Sequence, residues 1–143
     1  MPQPPHELAR TFVETIRRVA VTGRDDADVL RLVHPDAELR PIITDDVLHG
    51  HMGAVEWIEL ARSALVWEPA VRRVVGVDDE TAVALIHLRA PRPHLGIVDS
   101  EIAWVAEFRD GLLRRATSYP SVDGLPDDVR AALNEHPDGV PYG

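Results

Sequence analysis

The segment TAVALIHLRA, residues 81–90, sets a histidine and an arginine two positions apart inside an apolar run. An imidazole titrates near neutral pH, which suits it to moving a proton without a metal. A guanidinium beside it is a fixed cation, able to hold a carboxylate, a phosphate or a developing enolate oxygen. His87 and Arg89 are therefore the first candidates for acid–base chemistry. Alternate residues of a strand share a face. Val83, Leu85, His87 and Arg89 form one row, and Ala82, Ala84, Ile86 and Leu88 the other. Both rows are apolar enough to face a pocket. If the second row does so, His87 becomes a residue of an outer, interface-forming face.

Other chemistry-bearing residues are sparser. His49 and His51 flank Gly50 with a spacing that holds a metal on a strand, but no recognisable motif supplies a third ligand. No metal site is expected. Asp45 and Asp46 fall in a loop, where Asp residues form turns. His34 precedes Pro35 at an expected helix end, where an imidazole complements the helix dipole. The chain has no cysteine, which excludes disulfides, thiolate metal sites and cysteine nucleophiles. It also lacks the glycine-rich nucleotide loops, the G-x-S-x-G elbow and the H-E-x-x-H zinc motif, so no cofactor is expected.

The elements that must carry these residues are legible. At 143 residues the chain is long enough for one domain with a full core. We expect that domain over residues 1–124, with a short helix and a tail over 125–143. The net charge is −9 and all 15 basic residues are arginine, which argues against nucleic acid, bound chiefly by neutralising phosphates. No apolar stretch approaches the roughly 18–20 residues of a membrane span, and MPQPPHEL lacks the basic start and apolar run of a secretory signal. A cytoplasmic protein is the expectation.

Leu8, Phe12, Ile16 and Val19 recur at helical spacing over residues 5–22, and Gly23 stops that helix. Asp25 suits the N-cap of a short second helix, with Asp28 reaching back. That helix should carry Val29, Leu30 and Val33 and end at Pro35. A third helix, from about His51 to Val66, has the stripe Ala54, Trp57, Ile58, Ala61 and Leu65. The period then falls to 2. Residues 70–77, 81–90, 97–109 and 112–120 read as four strands, the last two joined by the hairpin signal Asp110-Gly111. Pro126 opens a fourth helix over about 126–135, ahead of the tail HPDGVPYG. Helices followed by antiparallel strands make an α+β layout with the helices on one face of a curved sheet.

This order, with Asp36-Ala37 opening a strand, Gly50 before the third helix and Phe108-Arg109-Asp110-Gly111 before a strand ending in Tyr119, resembles the nuclear transport factor 2-like superfamily. Within it the sequence is most similar to the SnoaL-like branch of polyketide cyclases and ketosteroid isomerases. The resemblance covers roughly residues 8–122. It implies a cone-shaped sheet, antiparallel or mixed, wrapped on three N-terminal helices around a deep apolar pocket, often in a homodimer paired sheet to sheet.

It also supplies positions to test. The ketosteroid isomerase general base falls at Pro41, and the oxyanion-hole acid at Trp104. The oxyanion tyrosine falls near Phe12, Ile16 or Arg17. None of these can play its family role, so steroid isomerisation by the usual residues is excluded. The acid used by many polyketide cyclases falls at Ser121, with Asp123 two further on. Arg89 can be the middle of an epoxide-hydrolase Asp-Arg-Asp set, but no inward aspartate pair accompanies it.

The resulting expectation is a cofactor-free isomerase, cyclase or hydrolase acting on an apolar carbonyl or polyketide-like compound. His87 would move the proton, and Arg89 and Tyr119 would hold the oxyanion. Phe12, Ile16, Pro41, Trp57, Trp104 and Phe108 would bind the apolar body. The alternative is a non-catalytic ligand-binding or dimerisation module of the same fold.

Overall fold

The computed structural model describes residues 3–64 and 66–135. In chain order the elements are α1 (Pro5–Thr22), α2 (Asp26–Leu30), β1 (Val33–Arg40), β2 (Leu48–His49), α3 (Gly50–Ser63), β3 (Glu68–Gly76), β4 (Thr81–Arg92), β5 (Gly96–Arg109), β6 (Leu112–Tyr119) and α4 (Asp127–Glu135). One six-stranded sheet runs β2-β1-β6-β5-β4-β3. It is mixed, because β1 and β6 are parallel while the other pairs are antiparallel. Register shifts at Val33/Glu38, Val71/Arg73 and Glu107/Phe108 bend the strands, and the sheet curves.

The helices fill the concave side. α1 keeps the expected bounds and buries Ala9, Phe12, Val13, Ile16 and Val19 against β3, β4 and β5. Gly23 closes it at φ +72, in the left-handed region that glycine enters without strain. α3 buries Ala54, Trp57, Ile58 and Ala61 against β1 and the other helices. Leu65, the last residue of its expected stripe, lies outside the described residues. Arg62 ties the layer together. Its guanidinium donates to Asp26 at the start of α2 and, at 3.0 Å, to the Val19 carbonyl of α1.

Two local expectations are corrected. Asp25 makes no side-chain cap, and Asp28 reaches outward to Arg18 and Arg31 rather than back to the helix start. A carboxylate with two guanidiniums in reach gains charge-assisted bonds that a neutral amide cannot match. Val33 is not helical either. It opens β1, and Pro35 sits inside that strand, at the bulge where a missing N–H costs no ladder bond.

The hairpin expected at Asp110-Gly111 is present, with φ +55 and +80, as a type I′ turn requires. Gly50 begins α3 at φ +63, and a Cβ there would sit 2.7 Å from the Pro35 carbonyl oxygen. Helix and strand approach that closely only because the side chain is absent.

The C-terminal helix is placed by its apolar stripe. Leu125, Val129, Ala132 and Leu133 form a second core with Val75, Val83, Leu85, Ala103 and Val105, on the convex side of the sheet. α4 thus covers the apolar part of the outer face and does not close the concave cavity. The tail from residue 136 lies outside the described residues.

Candidate functional site

The concave face is set by strand parity. Ile102, Trp104, Ala106 and Phe108 of β5 join the main core, as do Ala82, Ala84, Ile86, Leu88 and Ala90 of β4. The pairing Ala84↔Trp104 and Ile86↔Ile102 locks the two rows together. A cavity of about 40 Å³ lies between these rows and the helices. Its walls are Phe12, Val13 and Ile16 of α1, Trp57 of α3, Pro69 of β3, Ile86 and Leu88 of β4, Ile102 and Trp104 of β5, and Ser118 of β6. Pro41, Ile42, Ile43 and Trp67 complete it from the segments after β1 and before β3. Ile42, Ile43 and Trp67 are only partly buried, so they form its outward side.

Phe12 organises the aromatic wall. Its ring lies 5.6 Å from the Trp104 ring in a stacked pair, 14° apart, and 5.5 Å from that of Trp57. Such pairs are worth about 0.5–1.5 kcal/mol each beyond the area they bury. Among the lining residues none is titratable, and the polar side-chain atoms are the Ser118 hydroxyl and the indole nitrogens. Trp104 is 2% exposed, and its Nε1–H is buried with no acceptor among the described residues. An unpaired buried donor costs about 1–3 kcal/mol, so it marks a place where an acceptor is missing.

Five of the six expected ligand-lining residues meet in this cavity: Phe12, Ile16, Pro41, Trp57 and Trp104. Phe108 does not. It belongs to the same core but borders open grooves at the other end of the sheet, beside Glu80 and Arg109. The expected proton-handling set is not brought together there. His87 and Arg89 extend the Val83–Leu85 row onto the convex face, where His87 Nε2 bonds Asp99. Glu101 stands opposite His87 and Asp99 opposite Arg89, so this strip of the face is polar and exposed. Tyr119 packs against the α4 side, and its neighbour Ser118 points inward in its place. The expectation that these three enter the cavity is corrected by one step of parity.

The histidines near α3 are structural. His51 donates its Nε2–H to the Val33 carbonyl at 2.8 Å, fastening α3 to β1, while His34 Nδ1 accepts the Asp36 N–H. His34 sits in β1, so it does not complement a helix end. Among the described residues no three His, Asp or Glu side chains gather as metal ligands. Among the described residues no helix is long and apolar enough to cross a membrane.

Sequence reasoning missed Ile42, Ile43, Trp67, Pro69 and Ser118. Only Ser118 carried a readable signal, since it alternates with Tyr119 and pairs with Trp104. Ile42, Ile43 and Trp67 come from connecting segments, whose path no periodicity predicts, and Pro69 lies at the start of β3, ahead of the strand expected from residue 70.

No family model and no curated protein matches the sequence. Solved structures do resemble it. A Mycobacterium tuberculosis protein in complex with estradiol-17beta-hemisuccinate superposes with a TM-score of 0.62 at 13% identity, covering 85% of this chain and 97% of that one. A nuclear transport factor 2-like protein of unknown function from Burkholderia pseudomallei gives 0.60 at 16%, over 80% of this chain and 91% of that one. A candidate ketosteroid isomerase from Kribbella flavida gives 0.58 at 18%, over 96% and 90%. At these identities the likeness speaks to the fold. Element order, sheet topology and superposition agree that the protein has the nuclear transport factor 2-like fold.

Proposed function

We propose that the protein binds a compact, largely apolar molecule bearing one hydrogen-bond acceptor, and that the cavity does not itself perform acid–base catalysis. The observation that carries this reading is the lining. It joins an aromatic wall to a single orphan donor, Trp104 Nε1–H, with no titratable side chain beside it. Isomerisation, cyclisation and hydrolysis by general acid–base chemistry need a proton carrier within hydrogen-bond reach of the substrate. His87, on the convex face, has no such reach.

Size supports a compact ligand. A cavity of 40 Å³ has room for roughly three water molecules. A steroid such as the one held by the Mycobacterium tuberculosis protein would require Phe12, Trp57 and Trp104 to separate. A one- or two-ring compound needs only the outward side, Ile42, Ile43 and Trp67, to yield. Aromatic walls with one placed donor are the usual composition of such sites.

The test is calorimetric titration with indanone and with indane, which differ only in the carbonyl acceptor. The intact protein should prefer indanone by about 5- to 10-fold, the worth of one neutral hydrogen bond. Trp104→Phe keeps a ring in place and removes the donor, and should erase that preference. Failure of both compounds to bind would overturn the reading.

A further inference from the structure

The row that faces the cavity does not stop at Ala90. Counting on by two, Arg92 is the last residue of β4 and belongs to the same face as Ala82, Ala84, Ile86, Leu88 and Ala90. It is a cation at the end of an otherwise apolar row. Its Nε–H is buried and meets no acceptor among the described residues. It also forms no ion pair among the described residues. Of the two acids at the depression it borders, Asp45 lies 3.9 Å from His94.

Arg92 borders a second depression of about 290 Å³, also lined by Arg40, Thr44, Asp45, Asp46 and Thr117. That depression shares Pro41, Ile42 and Ser118 with the aromatic cavity, so the two adjoin at the cavity's outward side. A partly buried guanidinium whose Nε–H has no acceptor suits a carboxylate, which an arginine can hold through two parallel N–H bonds. Burying a charge without a partner is costly, so a ligand that supplies the anion gains what the free protein lacks.

We infer that Arg92 is the anion-recognising residue at the mouth of the cavity, and that the ligand is a compact carboxylic acid. Its apolar body lies against Phe12, Trp57 and Trp104, and its carboxylate lies on the Arg92 guanidinium. This rests on the reading of the cavity as a binding site and adds the chemical class. Asp45 and Asp46 at the same mouth disfavour a doubly charged anion, so a monocarboxylate is preferred over a phosphate.

Benzoylpropionate and its primary amide share an aryl ketone body and differ in the charge. Calorimetric titration of the full chain should show the acid binding about tenfold more tightly than the amide. Arg92→Gln should bring the two together, and Arg92→Lys should restore part of the difference, since it keeps the charge but not the fork. Equal affinities in the intact protein would overturn this inference and leave the cavity reading standing. A preference for the acid that persists undiminished in both variants would do the same. Binding of neither compound would overturn both.

Discussion

The two faces of β4 make opposite use of the same strand. On the concave side Ala84, Ile86 and Leu88 meet aromatic rings from α1, α3 and β5, and no titratable side chain lines the space between them. On the convex side Val83 and Leu85 lie under α4, and the row then turns polar at His87 and Arg89. The side chains with the richest chemistry thus stand in solvent, next to Asp99 and Glu101, where ionised groups keep their hydration. The side with a cavity has shape and one orphan donor. Residue types that can do chemistry do so only where parity delivers them to a substrate, and here parity sends them the other way.

The comparison can be broken by substitutions that weigh one face against the other. Phe12→Ala removes the ring that packs against both Trp57 and Trp104, and should cost about 3–5 kcal/mol in chemical denaturation. Gly50→Ala attacks the same layer from its edge. A left-handed φ combined with a Cβ 2.7 Å from the Pro35 oxygen should cost about 3 kcal/mol. Leu133→Ala, on the α4 side and 7% exposed, should cost about 2 kcal/mol. If thermal melting shows Leu133→Ala to be as harmful as Phe12→Ala, the second core is no satellite and the ranking of the two faces is wrong. At the small end, His87→Ala should change stability by less than about 0.5 kcal/mol, because its bond to Asp99 lies in solvent. It should also leave indanone binding unchanged. A large loss of binding in that variant would mean that the convex strip reaches the ligand after all.

Much of the fold was legible because its periods are strong. α1 was readable to both ends, α3 by its stripe, and the β5–β6 hairpin by two residues, Asp110 and Gly111. β1 was misread at its start because Val33 follows a helix within one stretch of apolar residues, and Pro35 reads as a stop until a bulge accommodates it. The site was harder. A strand usually declares its core face by contrast, apolar on one side and polar on the other. In β4 that contrast is erased, since α4 covers the convex row and makes Val83 and Leu85 as apolar as Ala84 and Ile86. The choice between the His87 row and the Ile86 row of β4 as the cavity face depended on a helix that begins at Asp127, far along the chain. Arg92 was missed for a related reason. Two prolines beside it, Pro91 and Pro93, read as a loop, yet β4 runs on to Arg92 and carries the parity with it.

The chain holds three tryptophans, and Trp57, Trp67 and Trp104 all border the one cavity. Every indole in the molecule therefore looks into the same small volume, from three different elements. The tryptophan emission of the whole protein is the emission of that volume, with no contribution from an indole elsewhere in the chain. A guest, a water or a loosened wall would each change its wavelength or intensity directly. The protein carries its own optical gauge at the place where its function is proposed to lie.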